Sequence, residues 1–388
     1  MYKKITIGAF ALCLALFFVL AFLMPTDEQA SVNENRPLAE LPTLTWDSLL
    51  SGQFAADFEV YLSDNVGFRS VFTSLGSRIE KLRGIATRAK DQVINLSNGS
   101  TLALVDGKIM EVFHESPAVR DSYVAAINGV RGVLPEDTSM YLLLIPTQIE
   151  FDTSSYASLA DSQKDTIDAV YGALEGVTGV NVYDRLSEHA DEYIYFRTDH
   201  HWTQRGAYYG YAALMEATGE EALPLSEMKH ESVSGFLGYL YNQANVPEYS
   251  EFADDIEYFT FGKNYDVWAS IMENGEPVEY GAKVYYTSEY GGVANYGIFM
   301  GGDHSFSRVT TDVNNGKTAL VIKDSYANAL LPFLTAHYET VLVIDPRDYY
   351  GTVADVVSEY DVDDVIVVNY ALSTTFSSIV DAIVSITK

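Results

Sequence analysis

Four short, almost wholly apolar runs constrain this chain more than any other feature: residues 141–146, 318–322, 341–345 and 365–369. A strand with one face in water alternates polar and apolar residues, so a run that is apolar at nearly every position has both faces covered. Helical spacing recurs around them, over residues 122–132, 161–174 and 203–218, the last closed by Gly219. A further strand is predicted over residues 180–184, and Ser325 stands where the run 318–322 turns helix-like. Strands alternating with helices predict an α/β fold with a doubly wound parallel sheet. In such sheets chemistry collects at the carboxyl edge, where Asp345 and Asn369 end their runs.

The run Asp199-His200-His201-Trp202-Thr203 lies between the apolar segment Tyr193-Ile194-Tyr195-Phe196 and a predicted helix. A carboxylate two residues before an imidazole can fix its tautomer and steady its positive charge, which pairs Asp199 with His201. Adjacent side chains face each other less readily, so His200 is the poorer base. Trp202 is placed to cover the imidazole, and Thr203 to cap the helix. Ser325, at a strand-to-helix junction, can project its hydroxyl where the first helical amides stabilise an oxyanion. Ser and Asp are also preferred helix caps, so the structural reading of the junction stays open beside the chemical one. Asp199, His200 and His201, with His304, could alternatively chelate a metal, although no third nearby ligand is evident.

The Asp199-His200-His201-Trp202 run, the Lys323-Asp324-Ser325-Tyr326-Ala327-Asn328 run and Glu34-Asn35-Arg36 together resemble the DHHW protein family of bacterial cell envelopes, over about residues 33–370. That family is similar in turn to the SGNH-hydrolase-like alginate O-acetyltransferases. The resemblance implies a permuted SGNH-hydrolase-like fold and a Ser-His-Asp acyl transferase or esterase, with Ser325 as nucleophile, His201 as base and Asp199 as its partner. In ordinary SGNH hydrolases the serine comes first and two residues separate the Asp/His pair; here the pair comes first, separated by one. Lys323 stands where those enzymes carry Gly. Asn369 falls where they keep an oxyanion-hole asparagine, and Arg347, Tyr326 and Trp202 are expected on the same oxyanion and substrate wall. No cofactor or resident metal is expected.

Charge and hydropathy set the surroundings. With 24 Lys and Arg against 54 Asp and Glu, the formal net charge is −30, which repels nucleic acid. A strongly anionic polymer would need a local basic cluster, for which Arg197, Arg205, Lys323 and Arg347 are the candidates. Residues 5–24 carry no charge, follow Lys3 and Lys4, and precede Asp27 and Glu28. Twenty helical residues span about 30 Å, so a transmembrane anchor at 1–24 is expected with a cytoplasmic N-terminus and an extracytoplasmic remainder. A cleaved signal peptide is disfavoured, because the run is longer than a signal core and lacks a small-x-small site. The one cysteine, Cys13, lies inside that run, so the exported part forms no internal disulfide.

A tether and helical stem are expected over 25–90, the catalytic domain over 91–388, with hairpins at Asn98-Gly99 and Asp106-Gly107. Residues 220–316 read as a β-rich insertion. Its aromatics, including Tyr239, Tyr241, Tyr258, Trp268, Tyr285, Tyr286 and Tyr290, suit either sugar stacking or ordinary strand packing. The expected function is O-acetylation of a cell-envelope or secreted polysaccharide through an acyl-serine, with the acyl donor supplied, by resemblance, by a membrane-bound O-acyltransferase. An acetyl esterase and a non-catalytic carbohydrate-binding or assembly protein are the alternatives.

Overall fold

The computed structural model describes residues 91–388 apart from 97–98, 274–275 and 288–293, together with positions 30–31, 36–37, 41–44, 46, 49, 54, 58 and 61. The anchor expected at 1–24, most of the tether and stem, and Tyr290 lie outside the described residues. Among the described residues, no helix is long and apolar enough to cross a membrane. The chain divides into two compact units, residues 1–89 with 246–248, and residues 90–245 with 249–388. In the first, Ala30–Ser31 pairs antiparallel with Arg36–Pro37, and the rings of Phe54 and Phe58, four residues apart, stack at 5.6 Å.

The second unit begins with an antiparallel three-stranded sheet, β1 (Gln92–Asn95), β2 (Thr101–Val105) and β3 (Lys108–Glu111). Its second turn uses Asp106 and Gly107, both in the left-handed region at φ 50° and 78°, the pairing that matches strand twist in a two-residue hairpin. Then follow α1 (Pro117–Gly132), β4 (Ser139–Ile145), α2 (Gln163–Gly172), β5 (Thr178–Gly179), α3 (Val182–Glu188) and α4 (Gln204–Thr218). The predicted strand at 180–184 is instead the start of α3. Asn181 accepts from the Asp184 amide and caps the helix, which ends the strand after two residues.

Residues 220–316 supply a two-stranded antiparallel pair, β6 (Lys229–Phe236) with β7 (Asp254–Thr260), and the short helix α5 (Tyr239–Ala244) between them. They also supply β8 (Tyr265–Glu273), β9 (Glu276–Gly281) and β10 (Phe306–Thr311). After these come β11 (Thr318–Lys323), a 3-10 turn at Ser325–Ala329, α6 (Leu331–Leu334), β12 (Thr340–Ile344), α7 (Val353–Tyr360), β13 (Asp364–Tyr370) and α8 (Ser377–Ser385).

The central sheet has eight strands in the order β9-β8-β10-β12-β11-β13-β4-β5. The five from β12 to β5 are parallel, as the apolar runs require, while β8, β9 and β10 extend the sheet antiparallel. The fold is thus mixed rather than wholly parallel, because strands of the β-rich stretch join the sheet. One core fills the face under α4 and the Ser325 turn, around Trp202, Tyr211, Tyr326 and Phe333. A second fills the face under α1, α2, α7 and α8, around Tyr123, Ile127 and Leu342. Successive side chains of the parallel strands feed the two cores alternately, Leu320 and Ile322 into one, Ala319 and Val321 into the other.

Candidate active site

The DHHW segment is a braced loop and not a strand end. Tyr195 forms an isolated antiparallel bridge with Trp202, and the amide of Thr203 donates to the carbonyl of Ile194 at 2.9 Å, folding residues 194–203 back on themselves. From one side the Ile109 amide of β3 donates to the carbonyl of Arg197 at 2.7 Å, and from another the Tyr241 amide of α5 donates to that of Thr198 at 2.9 Å. Buried Asp254 accepts the amides of Arg197 and Thr198 at 2.9 and 2.8 Å. Thr203 caps α4 as its residue type predicts, accepting from the Gly206 amide at 3.3 Å.

This loop delivers the imidazole of His201 to Ser325. His201 Nε2 stands 2.7 Å from Ser325 Oγ, and Nδ1 stands 2.6 Å from Asp199 Oδ1. Asp199 Oδ1 also accepts the His201 amide at 2.9 Å, and Oδ2 accepts the Tyr239 amide at 2.7 Å. Burial alone would raise the Asp199 pKa, but the neighbouring imidazoles of His201 and His200, with these hydrogen bonds, hold it well below the usual carboxylate range. An ionised Asp199 keeps the proton of His201 on Nδ1 and leaves the Nε2 lone pair facing the serine. His201 and Ser325 are 124 positions apart in the chain, yet with Asp199 their side chains form one hydrogen-bonded line.

The serine turn is fixed by Asp324, which caps it. Asp324 Oδ1 accepts the Tyr326 amide at 3.0 Å, and Oδ2 accepts from Asn369 Nδ2, the Tyr370 amide and Ser373 Oγ at 3.2, 2.9 and 3.0 Å. Burial raises the Asp324 pKa, against the lowering effect of these donors. With the Tyr326 amide taken, the Ser325 amide is the turn's donor that has no acceptor among the described residues. Lys323, buried where SGNH hydrolases carry Gly, pairs with Asp303 at 2.6 Å and stands 3.6 Å from Asp345.

The remaining expected residues do other work. Asn369 is buried with both ends of its amide engaged, Nδ2 to Asp324 and Oδ1 to the Tyr123 hydroxyl at 2.8 Å, so it braces the turn instead of facing an oxyanion. Arg347 is drawn into Asp345 and Asp303, with Nε to Asp345 Oδ1 and Nη2 to Asp303 Oδ2 both at 2.8 Å. Tyr326 is fully buried, its hydroxyl donating to the His200 carbonyl, and ties the two loops together. Trp202 does not cover the imidazole. It lies in the core, donating from Nε1 to the Tyr326 carbonyl at 2.8 Å, against Gly206 and Gly210 of α4, where a Cβ would meet it at 3.0 and 2.7 Å. Tyr296 takes the covering place, stacked on His201 at 3.8 Å and 8°, with its hydroxyl on the Ser325 carbonyl at 3.1 Å. No motif marks Tyr296 in the sequence.

The proposed basic cluster does not form as one patch. Arg205 pairs with Glu257 at 2.9 Å, Lys323 and Arg347 pair with Asp303 and Asp345, and Arg197 lies over the ring of Tyr193. Among the described residues the side chains close enough to share a metal are Asp199, His200 and His201. Both ring nitrogens of His201 are already engaged, and His304 is held elsewhere by Tyr280 and the Met300 carbonyl. Chelation would therefore dismantle the hydrogen-bonded line.

The family described as DHHW protein matches residues 86–344, well over half of the chain. The chain belongs to the DHHW protein family. A DHHW family protein from Eubacterium siraeum DSM 15702 is 24% identical, covering 75% of this chain and 97% of its own, with a TM-score of 0.66. Bacillus cereus PatB1, solved with a sulfonyl adduct, is 18% identical over 72% of this chain and 97% of its own, with a TM-score of 0.61. The O-acetyltransferase domain of Pseudomonas putida AlgJ reaches a TM-score of 0.39 at 15% identity, over 76% of this DHHW chain and 99% of its own. Curated proteins yield no match. At these identities the first two similarities report a shared fold, and function has to be argued from the site.

Proposed function

We propose that this DHHW protein is a membrane-anchored, extracytoplasmic serine acyltransferase that acetylates a hydroxyl of a cell-envelope or secreted polysaccharide. The observation that carries this reading is the line Asp199–His201–Ser325, with hydrogen bonds of 2.6 and 2.7 Å. His201 Nε2 takes the Ser325 proton as Oγ bonds the acyl carbon of the donor. The Ser325 amide stabilises the oxyanion, and the donor's leaving group departs with the proton from His201. A sugar hydroxyl then gives its proton to His201 while its oxygen bonds the acyl carbon, and the Ser325 Oγ–carbon bond breaks with return of the proton to Oγ. With water in place of the sugar, the same steps make an esterase. The resemblance of the motifs to alginate O-acetyltransferases supports acetyl as the group carried, and a membrane-bound O-acyltransferase as its source. Residues 5–24 support the anchor.

Mass spectrometry after incubation with p-nitrophenyl acetate tests the reading. An acetyl adduct on Ser325 that His201→Ala slows by about a thousandfold or more is expected. An adduct absent from the wild type, or unchanged in His201→Ala, refutes it.

A further inference from the structure

Beside the triad stand two polar side chains that acyl transfer itself leaves unused. Glu111 ends β3, two residues beyond the Ile109 amide that bonds the DHHW loop. Its carboxylate is partly buried and makes no hydrogen bond or ion pair among the described residues. Burial raises its pKa, with His200 lowering it and Asp199 raising it, so it stands within electrostatic range of both. His200 packs on His201 with ring centroids 3.9 Å apart. Its Nδ1 is enclosed without a hydrogen-bond partner, and Asp199 Oδ1 lies 3.9 Å away. Tyr239 and Tyr370 flank the ring, with centroids at 5.4 and 6.2 Å.

The chemistry of these groups selects a ligand. Burial, then the charge of His201, lowers the His200 pKa and keeps the ring neutral. The carboxylate facing Nδ1 favours the proton there, which leaves Nε2 as a lone-pair acceptor. A carboxylate and a bare imidazole nitrogen are both acceptors, so they suit a ligand that brings donors. An acyl ester brings none at its reacting end, whereas a polyol brings several. Charge narrows the choice further: Lys323 and Arg347 are already neutralised by Asp303 and Asp345, in a chain of net charge −30. An acidic sugar would meet Glu111 uncompensated.

We propose, on the basis of the acyl-transfer reading above, that Glu111 and His200 form the acceptor subsite and that it takes a polyol without acid groups, neutral or amine-bearing. The hydroxyl next to those held here is the one whose oxygen bonds the acyl carbon, releasing Ser325 Oγ and passing its proton through His201.

The experiment uses p-nitrophenyl acetate as donor with a glucosamine hexamer or a mannuronate hexamer as acceptor, following Ser325 acylation and acceptor KM separately. Wild type acetylates the glucosamine hexamer in preference. Glu111→Gln and His200→Gln each raise its KM by about tenfold, as the loss of one hydrogen bond to a charged or buried group requires. Ser325 acylation in Glu111→Gln stays within about twofold, and that variant narrows the preference over mannuronate. Unchanged acceptor KM in both variants, or preference for mannuronate, overturns the subsite while the adduct on Ser325 leaves acyl transfer standing. A wild type that forms no adduct overturns both. Unfolding midpoints of the two variants confirm that the comparison is between folded proteins.

Discussion

Gly238 lies against the back of Asp199, and one added methyl tests the whole line of hydrogen bonds. An ideal Cβ on Gly238 would fall 2.2 Å from Asp199 Cβ and 2.5 Å from Oδ2. Its backbone, at φ −84° and ψ −171°, is open to any L-residue, so Gly238→Ala perturbs by contact and not by strain. Ordinary carbon–carbon contact begins near 3.5 Å, so the carboxylate has to retreat by about 1 Å. That displacement carries Oδ2 away from the Tyr239 amide at 2.7 Å and Oδ1 away from His201 Nδ1 at 2.6 Å, beyond useful hydrogen-bond range. Overpacking costs about 1–3 kcal/mol of stability. Misplacing the imidazole by about 1 Å costs about a hundredfold in rate, equivalent to about 2.7 kcal/mol of barrier. The assay is the p-nitrophenolate burst under single-turnover conditions, read beside the thermal midpoint, with Asp199→Asn as reference. A folded Gly238→Ala protein whose burst rate stays within twofold of wild type would refute the role given to Asp199.

Three further outcomes are expected. Asn369→Ala strands the Tyr123 hydroxyl in the core and removes one of the donors to Asp324, so it should cost about 1–3 kcal/mol in denaturant unfolding while slowing the burst far less than Asp199→Asn. Glu111 has a folded pKa raised by burial, so its ionisation costs stability as pH rises through and above its unfolded value of about 4.3. Glu111→Gln should therefore raise the thermal midpoint at pH 7 and leave it nearly unchanged at the acid end of the range. Asp303 is the opposite case: burial raises its pKa, but Lys323 and Arg347 more than offset that and hold it far below the carboxylate range. Its contribution is present above the unfolded value of about 3.9 and is lost as pH falls toward the folded one. Asp303→Asn should flatten that acid limb in a pH series of unfolding midpoints.

The strands and the line of three site residues were the most legible parts of this chain. β4, β11, β12 and β13 announce themselves because each is covered on both faces, which leaves no polar position to confuse the period. α4 is marked at both ends, by the Thr203 cap and by Gly219 at φ 78°. The misreading at 180–184 had a visible antidote, since Asn181 three residues before Asp184 is a helix-start signature. β8, β9 and β10 gave no local sign that they join the central sheet, because pairing partners distant in the chain leave no periodicity. At the site, Asp199 and His201 are close in sequence and were readable, and Ser325 stood at its junction. Tyr296 and Glu111 arrive from segments with no motif, and only the folded backbone stacks Tyr296 on the His201 ring and brings Glu111 within electrostatic range of His200 and Asp199. Asn369 and Arg347 were expected at the right edge, but sequence gives no count of the acids waiting there to engage them.

The position of β13 has a consequence for how the molecule comes into being. It is the last strand of the sheet along the chain, yet it lies between β11 and β4. Until it is inserted, the part bearing the serine and the part bearing β4 share no ladder, and Asp324 lacks three of its four donors, which come from residues 369, 370 and 373. β13 thus closes at once the ladder that joins β11 to β4 and the set of donors that fixes the serine turn, as a keystone closes an arch.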